Sequence, residues 1–404
     1  MPSRLAAAFQ QLDRVISDNQ ELWRPQPFTC DTLPWGVSHP HVREALLNLS
    51  DTRVIGLHDD PQQRLHWFRQ IEPDLCAALY AFEPSPTDAV APPQLNSFDD
   101  THIPGRKLQQ VTAFAAAMSE VKLPLVDWCA GKGHLSRLVQ RSQNQPVHCL
   151  EWNAALLAQG EDLARKQNLD ICYHQHDVMQ ALPAECAESN RVHIGLHACG
   201  KLHHRMLQHV ASTSAAAVML SPCCYHKIAT EQYQPLSHRA QRSGLVLDLP
   251  SLHLAVQDTA TARRGERLIR EQERLWRLAF DALQRDVRGV DEYLNVHSCR
   301  REILRQDFAG FCRWAASRRQ LALPDGIDYA RYLELGRTKH REVTRLELLR
   351  QLFKRPLELW LVLDCALYLE QHGYSVNVST FCGRTVSPRN LLIQGILGSP
   401  ISRR

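Results

Sequence analysis

The stretch Asp127-Trp128-Cys129-Ala130-Gly131-Lys132-Gly133-His134 ends an apolar run on a carboxylate and then sets two glycines two positions apart. Glycines at that spacing let a backbone bend sharply and approach a ligand. The next apolar run ends at Glu151, 24 positions after Asp127, and Trp152 follows it. A carboxylate at that place accepts hydrogen bonds from both hydroxyls of a ribose. A third apolar run is followed by Asp177, placed to take a hydrogen bond from an adenine amino group. Three acidic residues closing three successive runs are a grip for a nucleoside. Cys129, Ala130, Gly131 and Gly133 form its cradle, with Trp152 beside the ribose carboxylate. The glycines do not complete the G-x-G-x-x-G pattern of a dinucleotide site, and no Gly-Lys-Ser/Thr is present at the loop.

A second constellation closes two later apolar runs: Gly195-Leu196-His197-Ala198-Cys199-Gly200, and Ser221-Pro222-Cys223-Cys224-Tyr225-His226. His197 and His226 are candidate bases, because an imidazole titrates near 6.5. Tyr225 is a candidate platform for stacking on a base. Cys129, Cys199, Cys223, Cys224, His197 and His226 are all soft ligands. No C-x-x-C pair occurs among them, and neighbouring Cys223 and Cys224 point to opposite sides of an extended chain. No metal site is therefore expected.

These residues need a scaffold that brings strand ends together. Apolar runs over 123–128, 147–152, 171–176, 192–197 and 215–221 read as strands, with helices over 135–141, 154–168 and 203–211 between them. A helix over 108–118 precedes the first strand. Such alternation predicts a parallel sheet with right-handed crossovers and ligands outside the carboxyl ends of the strands. A helix over 356–372 and two strand-like runs, 375–381 and 391–396, would add an antiparallel hairpin to the sheet edge. The expected architecture is a Rossmann-like α/β sheet of seven strands over 98–260 and 345–400. Residues 1–95 form a mainly helical N-terminal region, with helical spacing over 42–49 and 62–80, and 82–93 reads as a linker. Residues 262–340 form a basic helical insertion before the last two strands, its stretch 262–320 wholly helical. There Arg263, Arg264, Arg267, Arg270, Arg274 and Arg277 interleave with Glu266, Glu271 and Glu273. That pattern suits a salt-bridged solvated helix, or a phosphate-binding face.

Composition places few limits on the partner. Hydrophobic residues make up 44% and charged residues 22%, the balance of an ordinary soluble protein, and the net charge of +4 neither requires nor excludes a nucleic acid. Thirteen cysteines without small-scaffold spacing, and no leader-like apolar core in the first twenty residues, lead to the expectation of a cytoplasmic protein with free thiols. The longest apolar stretch, 357–369, is interrupted by Glu358 and Asp364 and reads as a buried helix rather than a membrane span. Nothing in the chain calls for an obligatory protein partner.

Taken together, Asp-x-x-x-Gly-Lys-Gly-His-Leu-Ser, Leu-His-x-Cys-Gly and Cys-Cys-Tyr-His-Lys resemble the methyltransferase family that contains methyltransferase-like protein 25 and the ribosomal RNA adenine dimethylase domain-containing protein. More distantly they are similar to the tRNA 2′-O-methyltransferase group, whose corresponding run is Cys-Cys-His-His. The resemblance covers about residues 100–260 and the segment Ser387-Pro388-Arg389-Asn390. It implies a class I methyltransferase with S-adenosylmethionine held by Asp127, Gly131, Gly133, Glu151 and Asp177. It also implies an acceptor side made by Cys199, Cys223, Cys224, Tyr225 and His226. Gly105-Arg106-Lys107-Leu108-Gln109-Gln110 matches a basic segment of these proteins, which makes Lys107 a substrate contact alongside Arg267 and Arg270. The acceptor it points to is RNA, either tRNA or rRNA. A protein or small-molecule acceptor, and a scaffold that binds the cofactor without catalysis, are the competing readings. A further chemistry is attack on a pyrimidine C5 system by Cys199 or Cys223, as in RNA methyltransferases that carry cysteines after strands four and five.

Overall fold

All five early apolar runs become strands: β1 (Leu125–Trp128), β2 (Val147–Glu151), β3 (Ile171–Gln175), β4 (Val192–Gly195) and β5 (Ala217–Leu220). They pair in parallel, and β6 (Tyr374–Thr380) and β7 (Leu391–Leu397) add the antiparallel hairpin, giving the order β3-β2-β1-β4-β5-β7-β6. This is the seven-stranded Rossmann-like sheet expected from the sequence. The computed structural model describes residues 2–30, 32–87, 103–118, 122–257 and 264–398. They fall into two units, one of residues 1–17, 78–258 and 354–404, the other of 18–77 and 259–353.

In the sheet unit, β1, β4 and β5 are buried at every position. That is why these strands read as continuous apolar runs rather than alternating ones. Edge strand β3 has no fully buried residue. The helices Gly105–Ala116 and His134–Gln143 contribute Val111, Phe114, Leu135, Leu138 and Val139 to a core with Val147, Val192 and Ile194. Phe114 meets Phe381 edge to face at 5.5 Å. Burying each such side chain contributes roughly 1.5–3 kcal/mol. The chain leaves β3 at one edge and returns to β4 beside β1, so a crevice opens between the β1 and β4 tips, where the strand order reverses.

The helix Lys354–Gln371 is buried without a break from Pro356 to Leu367. Its two buried acids, Glu358 and Asp364, are both satisfied. Glu358 pairs with Arg355 at 2.8 Å and Arg389 at 3.1 Å. Asp364 accepts from the Leu236 and Ser237 amides at 2.9 and 2.7 Å and from the Tyr233 hydroxyl at 2.9 Å. The Ser-Pro-Arg-Asn motif is thereby explained as architecture: Arg389 neutralises Glu358, and Asn390 donates to the Cys382 carbonyl at 2.7 Å.

The stretch 82–93 is not simply a linker. Its first part runs beside β6, with the Thr87 amide donating to Thr380 and the Thr380 amide donating to Ser85, each at 2.9 Å; residues 88–93 lie outside the described ones. No helix among the described residues is long and apolar enough to cross a membrane.

The second unit is built on the helices Arg264–Arg288, Phe308–Arg318 and Tyr329–Leu352. Trp276, Phe280, Leu283, Phe308 and Phe311 form its core. A Cβ on Gly336 would lie 2.5 Å from that of Ala279, so glycine permits the close approach of two of these helices. Residues 18–77 group here, whereas 1–17 group with the sheet. The stretch 262–320 is not wholly helical: the long helix stops at Arg288, where Gly289 takes φ +65°, and no helix resumes until Arg301.

Candidate functional site

The loop after β1 uses the left-handed region three times, at Cys129 (φ +57°), Gly131 (+60°) and Gly133 (+65°). Two of these positions carry the residue that tolerates it without penalty. Gly133 is further constrained, because a Cβ there would lie 2.6 Å from the Tyr173 hydroxyl. Gly160, on the helix Ala154–Lys166, is equally tight: its added Cβ would meet Tyr173 at 2.7 Å and the Lys132 carbonyl at 3.0 Å. Tyr173 and Gly160 thus shape the loop from outside it. Sequence reasoning missed both, because neither lies in the loop motif.

The three carboxylates are held in distinct ways. Asp127 is buried and accepts from Ser136 Oγ at 2.5 Å. Burial pushes its pKa up to about 7, the Ser136 bond opposing the rise and the Glu151 charge adding to it. Glu151 accepts from the Gly131 amide at 2.9 Å with one oxygen and from the Asn153 amide at 2.8 Å with the other. It is therefore aimed from both sides of the loop and retains lone pairs for hydroxyl donors. Asp177 accepts from the Met179 amide at 3.0 Å. All three raise the pKa of the Cys129 thiol, which burial first and then Glu151, Asp127, Cys199 and Asp177 hold up at about 12. The three carboxylates stand at the ends of the neighbouring strands β1, β2 and β3. Trp152 is 71% exposed beside Glu151, an open aromatic face next to the cradle. Ser136, which aims Asp127, is the positioning residue signalled by the motif's closing serine.

Beside this loop, Lys107, Asp127, Cys129, Ala130, His134 and His197 line a small cavity of about 30 Å³. Lys107 stands on the cavity wall, its pKa lowered by burial and by Lys132. His197 is lowered by its packing and by Lys107.

The second loop pair is brought together by β4 and β5. Cys199 bridges Cys223 in parallel register, and their sulfurs are 3.0 Å apart. Cys224 is not extended: φ of +48° turns its chain, and its sulfur lies with the other two, all within 4.8 Å. The expectation that Cys223 and Cys224 diverge, and with it the ground for expecting no metal site, is corrected. Cys223 is held well above the usual thiol range by its two neighbouring thiols, and Cys224 well below it by the thiols of Cys199 and Cys223 beside it.

Tyr225 is also corrected. It is 1% exposed, its hydroxyl reaches the Pro222 carbonyl at 3.4 Å, and its ring meets His203 edge to face at 5.8 Å. A core tyrosine offers no face to an incoming base. His226 is half-buried and stacks on His253 at 4.4 Å.

The arginine row favours the salt-bridged reading. Arg267 pairs with Asp59 at 3.0 Å, Arg274 with Glu347 at 2.6 Å and Arg277 with Glu273 at 2.6 Å. Arg270 is exposed. Arg263 lies outside the described residues.

Residues 106–231 match the family model of a methyltransferase domain. The match spans the carboxylate grip, the cavity and the thiol cluster, and S-adenosylmethionine is the cofactor of such a domain. Solved structures similar to parts of the chain include the Pyrococcus abyssi tRNA (uracil-54, C5)-methyltransferase with S-adenosyl-L-homocysteine, at 14% identity and TM-score 0.24, covering 28% of each chain. Another is a sarcosine dimethylglycine methyltransferase of Galdieria sulphuraria, at 14% identity and TM-score 0.26, covering 33% of this chain and 53% of that one. A third is magnesium protoporphyrin IX methyltransferase from Synechocystis with bound SAM, at 15% identity and TM-score 0.24, covering 38% of this chain and 72% of that one. The methyltransferase domain's residues fit its cofactor: an amide-aimed carboxylate for two hydroxyls, a loop free of side chains at Gly131 and Gly133, and a cation at Lys107 for a carboxylate.

Proposed function

We propose that this chain transfers the methyl group of S-adenosylmethionine to RNA, with tRNA or rRNA as the acceptor. The observation that carries the cofactor part is the Glu151 carboxylate at the end of β2, held against the glycine loop by the Gly131 amide and by the Asn153 amide. In this reading Glu151 takes the ribose hydroxyls, Asp177 the adenine amino group, and Trp152 stacks on the exposed side of the adenine. Lys107 is reassigned from the acceptor to the carboxylate of the donor's amino-acid end, since it lines the cavity with Asp127.

Methyl transfer from a sulfonium is an in-line displacement at an already activated carbon, so positioning supplies most of the catalysis. His197, on the lining of the cavity, is the base that takes the acceptor's proton, and its lowered pKa keeps it neutral at pH 7. His226 and the thiols of Cys199, Cys223 and Cys224 border the acceptor side; Tyr225 supports them from the core. The RNA assignment rests on the Cys-Cys-Tyr-His resemblance and on exposed cations such as Arg270, with Arg267 able to exchange Asp59 for a phosphate. Free thiols at all thirteen cysteines are consistent with action in the cytoplasm.

The test is transfer of labelled methyl from S-adenosylmethionine to fractionated tRNA, rRNA, protein and small-molecule extracts from cells lacking the protein. Label in a tRNA or rRNA nucleoside, lost on mutating Glu151, supports the proposal. Label only in protein or metabolites overturns the acceptor, and binding without transfer to any fraction leaves a scaffold.

A further inference from the structure

We infer that Cys199, Cys223 and Cys224 form a metal site that holds one zinc ion at the tips of β4 and β5. Three sulfurs from two loops, 24 residues apart in sequence, lie within 4.8 Å of one another. The backbone makes this cluster deliberately. The Gly200 amide donates to the Cys223 carbonyl at 3.2 Å and the Lys201 amide to the Lys227 carbonyl at 3.1 Å, so the two loops are laced together beside the thiols. Gly200, at φ +57°, is pressed so close that an added Cβ would lie 2.0 Å from the Lys227 oxygen. Cys224 adopts the left-handed region without being glycine, at a cost of roughly 1–2 kcal/mol. That conformation is what brings the third sulfur to the other two.

The geometry suits a tetrahedral thiolate ion. With metal–sulfur bonds of about 2.3 Å, sulfurs on a tetrahedron are about 3.8 Å apart. The Cys199–Cys223 pair at 3.0 Å has to open by less than about 1 Å, within the reach of small side-chain rotations. It is also well beyond the roughly 2.05 Å of a disulfide. Thiolates select zinc among abundant divalent ions. Binding replaces each remaining S–H bond with a sulfur–zinc bond and releases one proton for each thiol still protonated, with no change of oxidation state. Three thiolates and a dication leave one negative charge, which Lys227, acting on both Cys199 and Cys224, offsets. Three protein ligands leave the fourth position open. The site does not depend on the methyl-transfer reading.

The test is metal analysis of the full chain purified under reducing conditions, followed by replacement with cobalt(II). About one zinc per chain is expected, together with thiolate-to-cobalt charge-transfer absorption. Cys199→Ser, Cys223→Ser and Cys224→Ser should each weaken metal retention by tenfold or more, as loss of a ligand does. Cys186→Ser and Cys365→Ser, in two separate His/Cys groups, should not. Circular dichroism of each variant separates a lost ligand from a lost fold. Should the variants unfold, cobalt titration of the unmodified chain with and without prior thiol blocking gives the answer. Unmodified protein that neither retains zinc nor shows cobalt–thiolate absorption overturns the site, as does full metal in the triple serine variant. Binding of S-adenosylhomocysteine to the same preparations is read separately, so failure of the metal site and failure of the cofactor reading are distinguishable.

Discussion

Asp127→Asn isolates the cost of a charge buried in the cofactor loop. In the folded protein this carboxyl titrates at about 7 instead of 3.8, chiefly because it is buried. A difference of about 3 units is worth about 4 kcal/mol at 1.36 kcal/mol per unit. The sign follows from proton uptake. Below pH 4 both folded and unfolded chains carry the proton, and the burial costs nothing extra. Between pH 4 and 7 the unfolded chain ionises first, so stability falls as pH rises, and above 7 the loss is complete. Asparagine cannot ionise, yet its carbonyl still accepts from Ser136 Oγ, 2.5 Å from the carboxylate it replaces. The variant without ligand should match the parent near pH 4 and exceed it by up to about 4 kcal/mol at pH 8. Urea unfolding followed by circular dichroism between those values measures this. Parallel pH profiles for parent and variant, or a variant less stable at pH 8, would refute the reasoning.

Other consequences follow from the packing. Gly133→Ala should cost about 1–2 kcal/mol in thermal unfolding, since the position is left-handed and its Cβ meets Tyr173; an unchanged midpoint would mean the loop yields freely. Arg389→Ala leaves the buried Glu358 with one ion-pair partner, Arg355, and should destabilise the sheet unit by about 3–5 kcal/mol in denaturant unfolding. A loss under about 1 kcal/mol would show that water reaches Glu358. Charge reversal at Arg267 and Arg270 should change stability by less than about 1 kcal/mol, because the Arg267–Asp59 pair is exposed at 35% and 48%. The same reversal should weaken RNA binding and flatten its salt dependence in filter-binding assays; equal affinity and slope would remove that helix from the proposed interface.

Much of the sheet was legible because its chemistry is local. β1, β4 and β5 are buried on both faces, so their runs are largely apolar, with Asp127 and His193 the polar exceptions, and each run ends where a loop must turn. The glycines at 131 and 133 and the acids at 127, 151 and 177 announce the cradle for the same reason. What stayed hidden depends on contacts between distant residues. Tyr173 and Gly160 shape the loop through space. The Ser85–Thr87 pairing with Thr380 requires a strand edge almost 300 residues away. Tyr225 sits at a strand end, where exposure was expected, but packs on His203. Cys224 takes a backbone conformation that an alternating-strand rule excludes. The arginine row carried both of its meanings in sequence, and only the positions of Asp59 and Glu347 show which of its members are paired.

The most direct measurement is isothermal titration of S-adenosylmethionine into the parent chain and Glu151→Gln. Glutamine keeps the size of the side chain but not the charge that receives two ribose hydroxyls, and a hydrogen bond to a charged group is worth about 1.5–3 kcal/mol. The parent should bind one equivalent, and the variant should bind about 10- to 100-fold more weakly. A parent chain that takes up no cofactor, or a variant that binds as tightly as the parent, would contradict the account.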